Sequence, residues 1–233
     1  MTLPYLCEQR FGELELMFEQ FIEFLPSILY IAQGALVTLK YSVIAVFFGL
    51  IIGVFLAILK VSKNFYLRLF ASCYTSIFRG TPLLIQLSLV YFALPSLIDV
   101  KLSVFAAGSI AFSLNSGAYV SEIIRAGING VDKGQFEAAR ALGIPPILMM
   151  KDIILPQAVR NILPSLINEL INLIKESAII SMLGEMDLMR RAQVVSAETY
   201  NYFAPMITAA ITYYIMVLII SYFAKILEKR LAI

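Results

Sequence analysis

Three charged side chains, Glu169, Lys175 and Glu176, interrupt a stretch at residues 162–184 that is otherwise apolar enough to lie inside a membrane. A carboxylate or ammonium at the centre of a membrane helix costs about 2.5 to 3.5 kcal/mol on insertion scales, so these groups are expected to face protein or water. At 100° per residue, Ser165, Asn168, Glu169, Asn172, Lys175 and Glu176 share an arc of about 120°. Leu166, Leu170, Leu173, Ile174 and Ala178 fall outside it. Such a stripe offers carboxylates, amides and one ammonium, which could receive both charged ends of an amino acid. Glu169 and Glu176, with Asn172 beside them, are the expected substrate-facing set. Lys175 belongs to the same stripe, and Asn115, Ser116 and Tyr119 of the preceding span are candidates to line the same path. Two structural alternatives stand beside this reading: Lys175 paired with a carboxylate, and Asn115 and Ser116 bonding between helices. Two carboxylates lean toward a cationic ligand, since opposite charge offsets desolvation.

Other chemistries are poorly served. Histidine and tryptophan are absent, which removes histidine-based general base catalysis and histidine metal ligands. No catalytic role and no metal site is therefore expected. Cys7 and Cys73 are placed at opposite ends of the bundle and are not expected to pair.

The elements that must position the stripe follow from composition. Of 233 residues, 60% are hydrophobic and 15% charged, against about 25% charged in soluble domains. A helix needs about 20 apolar residues to cross the hydrocarbon core. The charge-poor stretches predict an all-α integral membrane protein, a single domain over 1–233 with five spans at about 28–59, 66–98, 102–121, 162–184 and 199–224. Residues 1–27 read as an external amphipathic segment, with a surface helix over Leu14 to Phe24. Arg79 to Pro82 predict a break in the second span, since proline removes a donor and glycine relaxes the backbone.

Positive charges are retained on the cytoplasmic side. Lys60, Lys63, Arg68, Arg79, Arg125, Lys133, Arg140, Lys151, Arg160, Lys225, Lys229 and Arg230 fall on one side; Arg10, Lys101, Arg190 and Arg191 fall on the other. The N-terminus is thus expected outside and the C-terminus inside, with the first span as an uncleaved targeting signal.

Residues 122–161 form the longest internal connection. Within it Asp132 and Gln135 read as an N-cap and its capping-box partner, Gly143 as a left-handed C-terminal cap, and Pro145 and Pro146 as a stop. A helix over Lys133 to Leu142 is predicted, short and rich in small residues, of a kind that can enter a groove on another protein or simply pack on its own loop.

Glu137-Ala138-Ala139, then Gly143, Ile153 and Leu155-Pro156, reproduce the EAA signature of bacterial ATP-binding-cassette importer permeases. Further stretches resemble the polar amino-acid group of that family, which serves histidine, glutamine, glutamate and arginine. They are Arg79-Gly80-Thr81-Pro82 with Leu83 and Gln86, Ala118 to Ile123, Lys133-Gly134-Gln135, Leu155 to Ala158, Lys175-Glu176-Ser177 and Leu188 to Gln193. Departures are Glu176, where the family pattern more often has aspartate, and the acidic N-terminal segment. The resemblance implies a MetI-like type I permease fold and a coupling helix, carried by Glu137, Ala138, Ala139 and Gly143, that docks on a separate ATPase. It also implies the partners: ATPase subunits holding ATP and magnesium, an external amino-acid-binding protein, and a second permease chain, identical or similar. No nucleic acid enters the reading, and the location implied is a bacterial inner membrane. The chain has no Gly-Lys dipeptide and so no phosphate-binding loop of its own. The alternative is a secondary transporter or channel that uses the Glu/Lys stripe.

Overall fold

The computed structural model describes the backbone of residues 3–231, and side chains at residue 22 and over 24–230 except 98. Every regular element among the described residues is helical. The order is α1 (Leu3–Lys60), α2 (Phe65–Gly80), α3 (Leu83–Ser88), α4 (Leu94–Ile98), α5 (Val104–Asn129), α6 (Lys133–Ala141), α7 (Pro146–Leu148), α8 (Leu155–Glu176), α9 (Leu188–Thr199) and α10 (Phe203–Leu231). π-helical turns join α3 to α4 and α7 to α8, and a 3-10 turn at Ser177–Leu183 follows α8.

Short polar connections start the helices. Asn64 accepts a hydrogen bond from the Tyr66 amide, Ser103 from Ala106 and Asp187 from Arg190, so each satisfies an amide that lacks an intrahelical partner. Endings use the left-handed region, at Asp99, Gly143, Gly184 and Tyr200.

Among the described residues two helical stretches are long and apolar enough to cross a membrane, Phe24–Lys60 and Phe203–Arg230. The pair Phe65–Gly80 and Leu83–Leu97 passes the same test as one unit, bent by 105°. The break expected at Arg79 to Pro82 is therefore a sharp turn rather than a mild kink. No break marks the expected boundary near residue 28: α1 continues through Pro26. The side chains of most of the expected surface helix, and that of Cys7, fall outside the described residues. α5 runs on past residue 121 to Asn129, and α8 begins at Leu155 rather than 162. α5 continues past the apolar stretch because no proline falls between Val104 and Asn129, and α8 can begin at Leu155 because Pro156 sits in its first turn, where its missing amide is not needed.

The packing of α1 on α5 is the spine of the molecule. Gly49 and Gly53, one turn apart on α1, let the two backbones approach: a Cβ on Gly49 would stand 2.6 Å from Ser116 Oγ, and one on Gly53 2.5 Å from Val120 Cγ1. Small residues four apart serve such close helix contacts in membranes, where van der Waals packing replaces the hydrophobic effect. Three apolar clusters complete the core. One joins Tyr41, Leu87, Phe112, Leu173 and Ile180; the second joins Ile31, Ile174, Leu188 and Val195. The third, of Val131, Ala139, Met149, Ile154 and Ile162, holds the α6–α7 connection to α5 and α8.

Candidate functional site

α8 has two faces of opposite character. Ile162, Leu173 and Ile174 are buried against the rest of the chain, whereas Asn161, Asn168, Asn172, Lys175 and Glu176 are exposed. The polar arc expected from the sequence is therefore left largely uncovered by this chain. Glu169 is the exception, only 7% exposed, and sits at the edge where the stripe meets the core. Lys175 forms no ion pair within 4.0 Å among the described residues, so the alternative pairing of Lys175 with a carboxylate is not seen there.

A second polar group lies inside the bundle and is fully engaged. The helix break leaves the last carbonyls of α2 without intrahelical donors. Gln86 Nε2 donates to Phe78 O at 2.8 Å, Thr81 O at 3.0 Å and Thr81 Oγ1 at 2.9 Å. Asn115 Nδ2 donates to Gln86 Oε1 at 2.9 Å and to Phe78 O at 3.3 Å. Asn115, expected on the path, is thus 4% exposed and holds α5 to the 105° turn. Irregular backbone at membrane depth is tolerated only where protein satisfies it in this way. Ser116 is buried against Gly49, its hydroxyl without a hydrogen-bond partner among the described residues. Tyr119 is partly exposed, and its ring carries the Arg79 guanidinium at 5.4 Å from the centroid.

α6 projects from the third cluster. Asp132 Oδ1 accepts from the Gly134 amide at 2.6 Å. The reciprocal capping-box bond expected from Gln135 is replaced, because its side-chain oxygen accepts from Gln157 Nε2 at 3.4 Å. At the other end Gly143, at φ 70°, closes a Schellman motif: its amide donates to Arg140 O and the Ile144 amide to Ala139 O, both at 3.0 Å. Ala139 turns inward at 2% exposure, so it anchors the helix to its own chain. Glu137, Ala138 and Gly143 stay exposed, beside Leu142 at 78% and Ile147 at 80%. A rigid tip with uncovered apolar side chains is suited to a groove on another protein.

A charge cluster ties the end of α1 to α5. Lys60 Nζ contacts Glu122 Oε1 at 2.5 Å and Ser121 Oγ at 3.0 Å, and Arg125 contacts Glu122 Oε2 at 2.6 Å. Burial raises the Glu122 pKa, but the hydrogen bonds from Lys60 and Arg125 outweigh it and leave the carboxyl below its usual value. Neither this cluster nor the role of Gln86 is evident from the spacing of single residues. A missed signal is Arg68, Ser72, Thr75, Ser76 and Arg79, at i, i+4, i+7, i+8 and i+11, which forms a polar stripe on α2.

Comparisons with known proteins agree with this architecture. Residues 49–233 match the family described as binding-protein-dependent transport system inner membrane component. A putative glutamine transport system permease protein GlnP of Rickettsia felis is 73% identical over 217 residues, 93% of this chain and 100% of that protein. The arginine transport system permease protein ArtQ of Bacillus subtilis is 51% identical over 207 residues, 89% of this chain and 94% of that one. Among solved structures, an amino acid ABC transporter with histidines superposes with TM-score 0.84 at 43% identity, over 91% of this chain and 98% of that one. The MetNI methionine ABC transporter, at TM-score 0.76 and 21% identity over 89% and 98% of the two chains, shares the fold. The expected MetI-like permease fold is therefore the fold observed, and the chain belongs to the family of binding-protein-dependent transport system inner membrane components.

Proposed function

We propose that this chain forms half of the substrate pathway of an ATP-driven importer for a polar amino acid, either a cationic one or glutamine. The observation that carries the reading is the α8 face: amides and charges left uncovered on a helix whose other side is buried in an apolar bundle. Such a face is costly against lipid, and a second permease chain turned by a two-fold axis gives it a polar partner across a shared path. Asn172, Lys175 and Glu176 then face the substrate, with Tyr119 and Glu169 at its margin. Relatives named for glutamine and arginine transport support the substrate class.

In this reading five spans enclose the path, the N-terminus is outside, and the basic connections lie in the cytoplasm of a bacterial cell. ATP and magnesium are held by a separate ATPase, on which the α6 tip docks, and an external binding protein delivers the amino acid. ATP-driven closure of the ATPase pair moves the tips, and the spans alternate between outward-open and inward-open states. Uptake of labelled arginine, lysine, histidine, glutamine and glutamate into proteoliposomes holding the chain, its ATPase and its binding protein tests the whole reading. ATP-dependent uptake of one of them is expected, and uptake driven by an ion gradient alone would replace the importer with a secondary transporter. For the tip, Gly143→Val is expected to abolish uptake while the ATPase still turns over, since a β-branched residue cannot hold φ 70° without strain; unchanged uptake would remove α6 from the coupling role.

A further inference from the structure

A cavity of about 540 Å³ opens between the end of α1, α2 and the end of α5. Four cations line it, Lys60, Arg68, Arg79 and Arg125, against one carboxylate, Glu122. Glu122 is already shared by Lys60 and Arg125. Arg68 spends two contacts on the carbonyls of Ser62 and Lys63, and Arg79 rests on the Tyr119 ring. Neither arginine has a carboxylate within 4.0 Å among the described residues. The hydroxyls of Ser72 and Ser76 face the same space from α2 and are exposed. The cavity thus presents two guanidinium groups without a carboxylate partner among the described residues, about 16 Å apart along α2, with two hydroxyl donors between them, and such donors suit the acceptor oxygens of a phosphate.

What lies next to the cavity selects among phosphates. Moving around α2 from the basic stripe, Leu69 comes next, followed by Tyr66, Ile77 and Phe70, all strongly exposed. An apolar strip running along a helix beside a basic cavity accommodates acyl chains alongside a charged headgroup, and basic pockets between membrane helices bind anionic headgroups by the same attraction. We propose that this cavity is a binding site for the phosphate headgroup of an anionic membrane lipid, with its chains lying on the Leu69–Ile77 strip. The cavity lies on the α2 side of α5, with Arg79 touching Tyr119 at the margin of the proposed path, and lipid binding can be read whether or not the importer reading holds.

The test titrates the full chain in neutral detergent with phosphatidylglycerol or with phosphatidylcholine of the same acyl chains, and reads bound lipid by native mass spectrometry. Phosphatidylglycerol is expected to bind at least about tenfold more tightly. Arg68→Gln combined with Arg79→Gln is expected to erase that preference, Arg68→Lys with Arg79→Lys to retain most of it, and Lys225→Gln, far along the chain on α10, to leave it unchanged. Equal binding of the two lipids overturns the proposal, as does a preference that survives the double glutamine variant. Inorganic phosphate that binds as tightly as the lipid and displaces it also overturns it, because the site then reads the anion without its chains.

Discussion

Asn115 and Asn172 are the same residue type on two long helices of one apolar bundle, and the bundle treats them oppositely. The Asn115 amide is enclosed and donates to Gln86 and Phe78, closing the gap that a 105° turn opens in the backbone. Asn172 stands exposed in line with Asn168, Lys175 and Glu176. Polar groups inside a membrane bundle thus divide by whether their partners are in the same chain. Where partners are internal, the group holds a backbone irregularity in place. Where they are external, the group is available to water, substrate or a second subunit.

The sharpest way to break this comparison is to make both regions apolar and ask what is lost. Asn172→Leu with Glu176→Leu is expected to cut ATP-dependent uptake roughly 100-fold, about tenfold for each lost contact of 1.4 kcal/mol. Thermal unfolding in detergent should stay near that of the parent chain. A large fall in the unfolding temperature would mean that the exposed face is structural after all.

The converse change is Asn115→Leu, which leaves Gln86 Oε1 buried without its donor and is expected to cost about 1–3 kcal/mol of stability. Adding Gln86→Leu should not restore it, because the carbonyls of Phe78 and Thr81 then lose their donors as well. Unfolding midpoints of the single and double variants check this, and an unchanged midpoint for Asn115→Leu would dissolve the distinction between the two asparagines.

Lys175→Met sharpens the picture of the open face. Removal of the only cation in the stripe should favour cationic over neutral amino acids by a few-fold, on the order of 1 kcal/mol for a partly solvated charge. Competition between labelled arginine and glutamine measures it, and an unaltered ratio would place Lys175 away from the substrate.

The smallest effect concerns Glu122. Its folded-state pKa is lowered below the ordinary 4.5, so its contribution to stability is present above that value and is lost as pH falls through the folded pKa. Comparing the parent chain with Glu122→Gln, the stability difference should be constant at neutral pH and shrink only below about 4.5. A difference that is already shrinking near pH 6 would contradict the Lys60–Glu122–Arg125 cluster.

Much of the site could be read before any coordinates. Asp132 and Gly143 bracket α6 because a side-chain cap and a left-handed glycine are local devices that depend on a few neighbouring residues. Arg79 to Pro82 announced a break for the same reason. The Gln135 capping bond was misplaced because Gln157, 22 residues on, competes for the same side chain. Ala138 and Ala139 read alike in sequence, yet Ala139 is buried in the α6 anchor and Ala138 is free, since only the docking of α6 on the Met149–Ile162 region decides which face turns inward.

Composition, charge placement and local periodicity by themselves determined that this protein is a helical membrane chain, that one helix carries a polar stripe, and that a capped helix interrupts a long connection. These are properties of a segment and its immediate neighbours. The tertiary structure alone decided that Asn115 closes the turn while Asn172 stays open, that the break is 105°, and that Arg68 and Arg79 share a cavity with Lys60 and Arg125. Those outcomes depend on which helix packs against which, and that is set by pairings such as Gly49 and Gly53 against Ser116 and Val120, more than sixty residues apart in the chain.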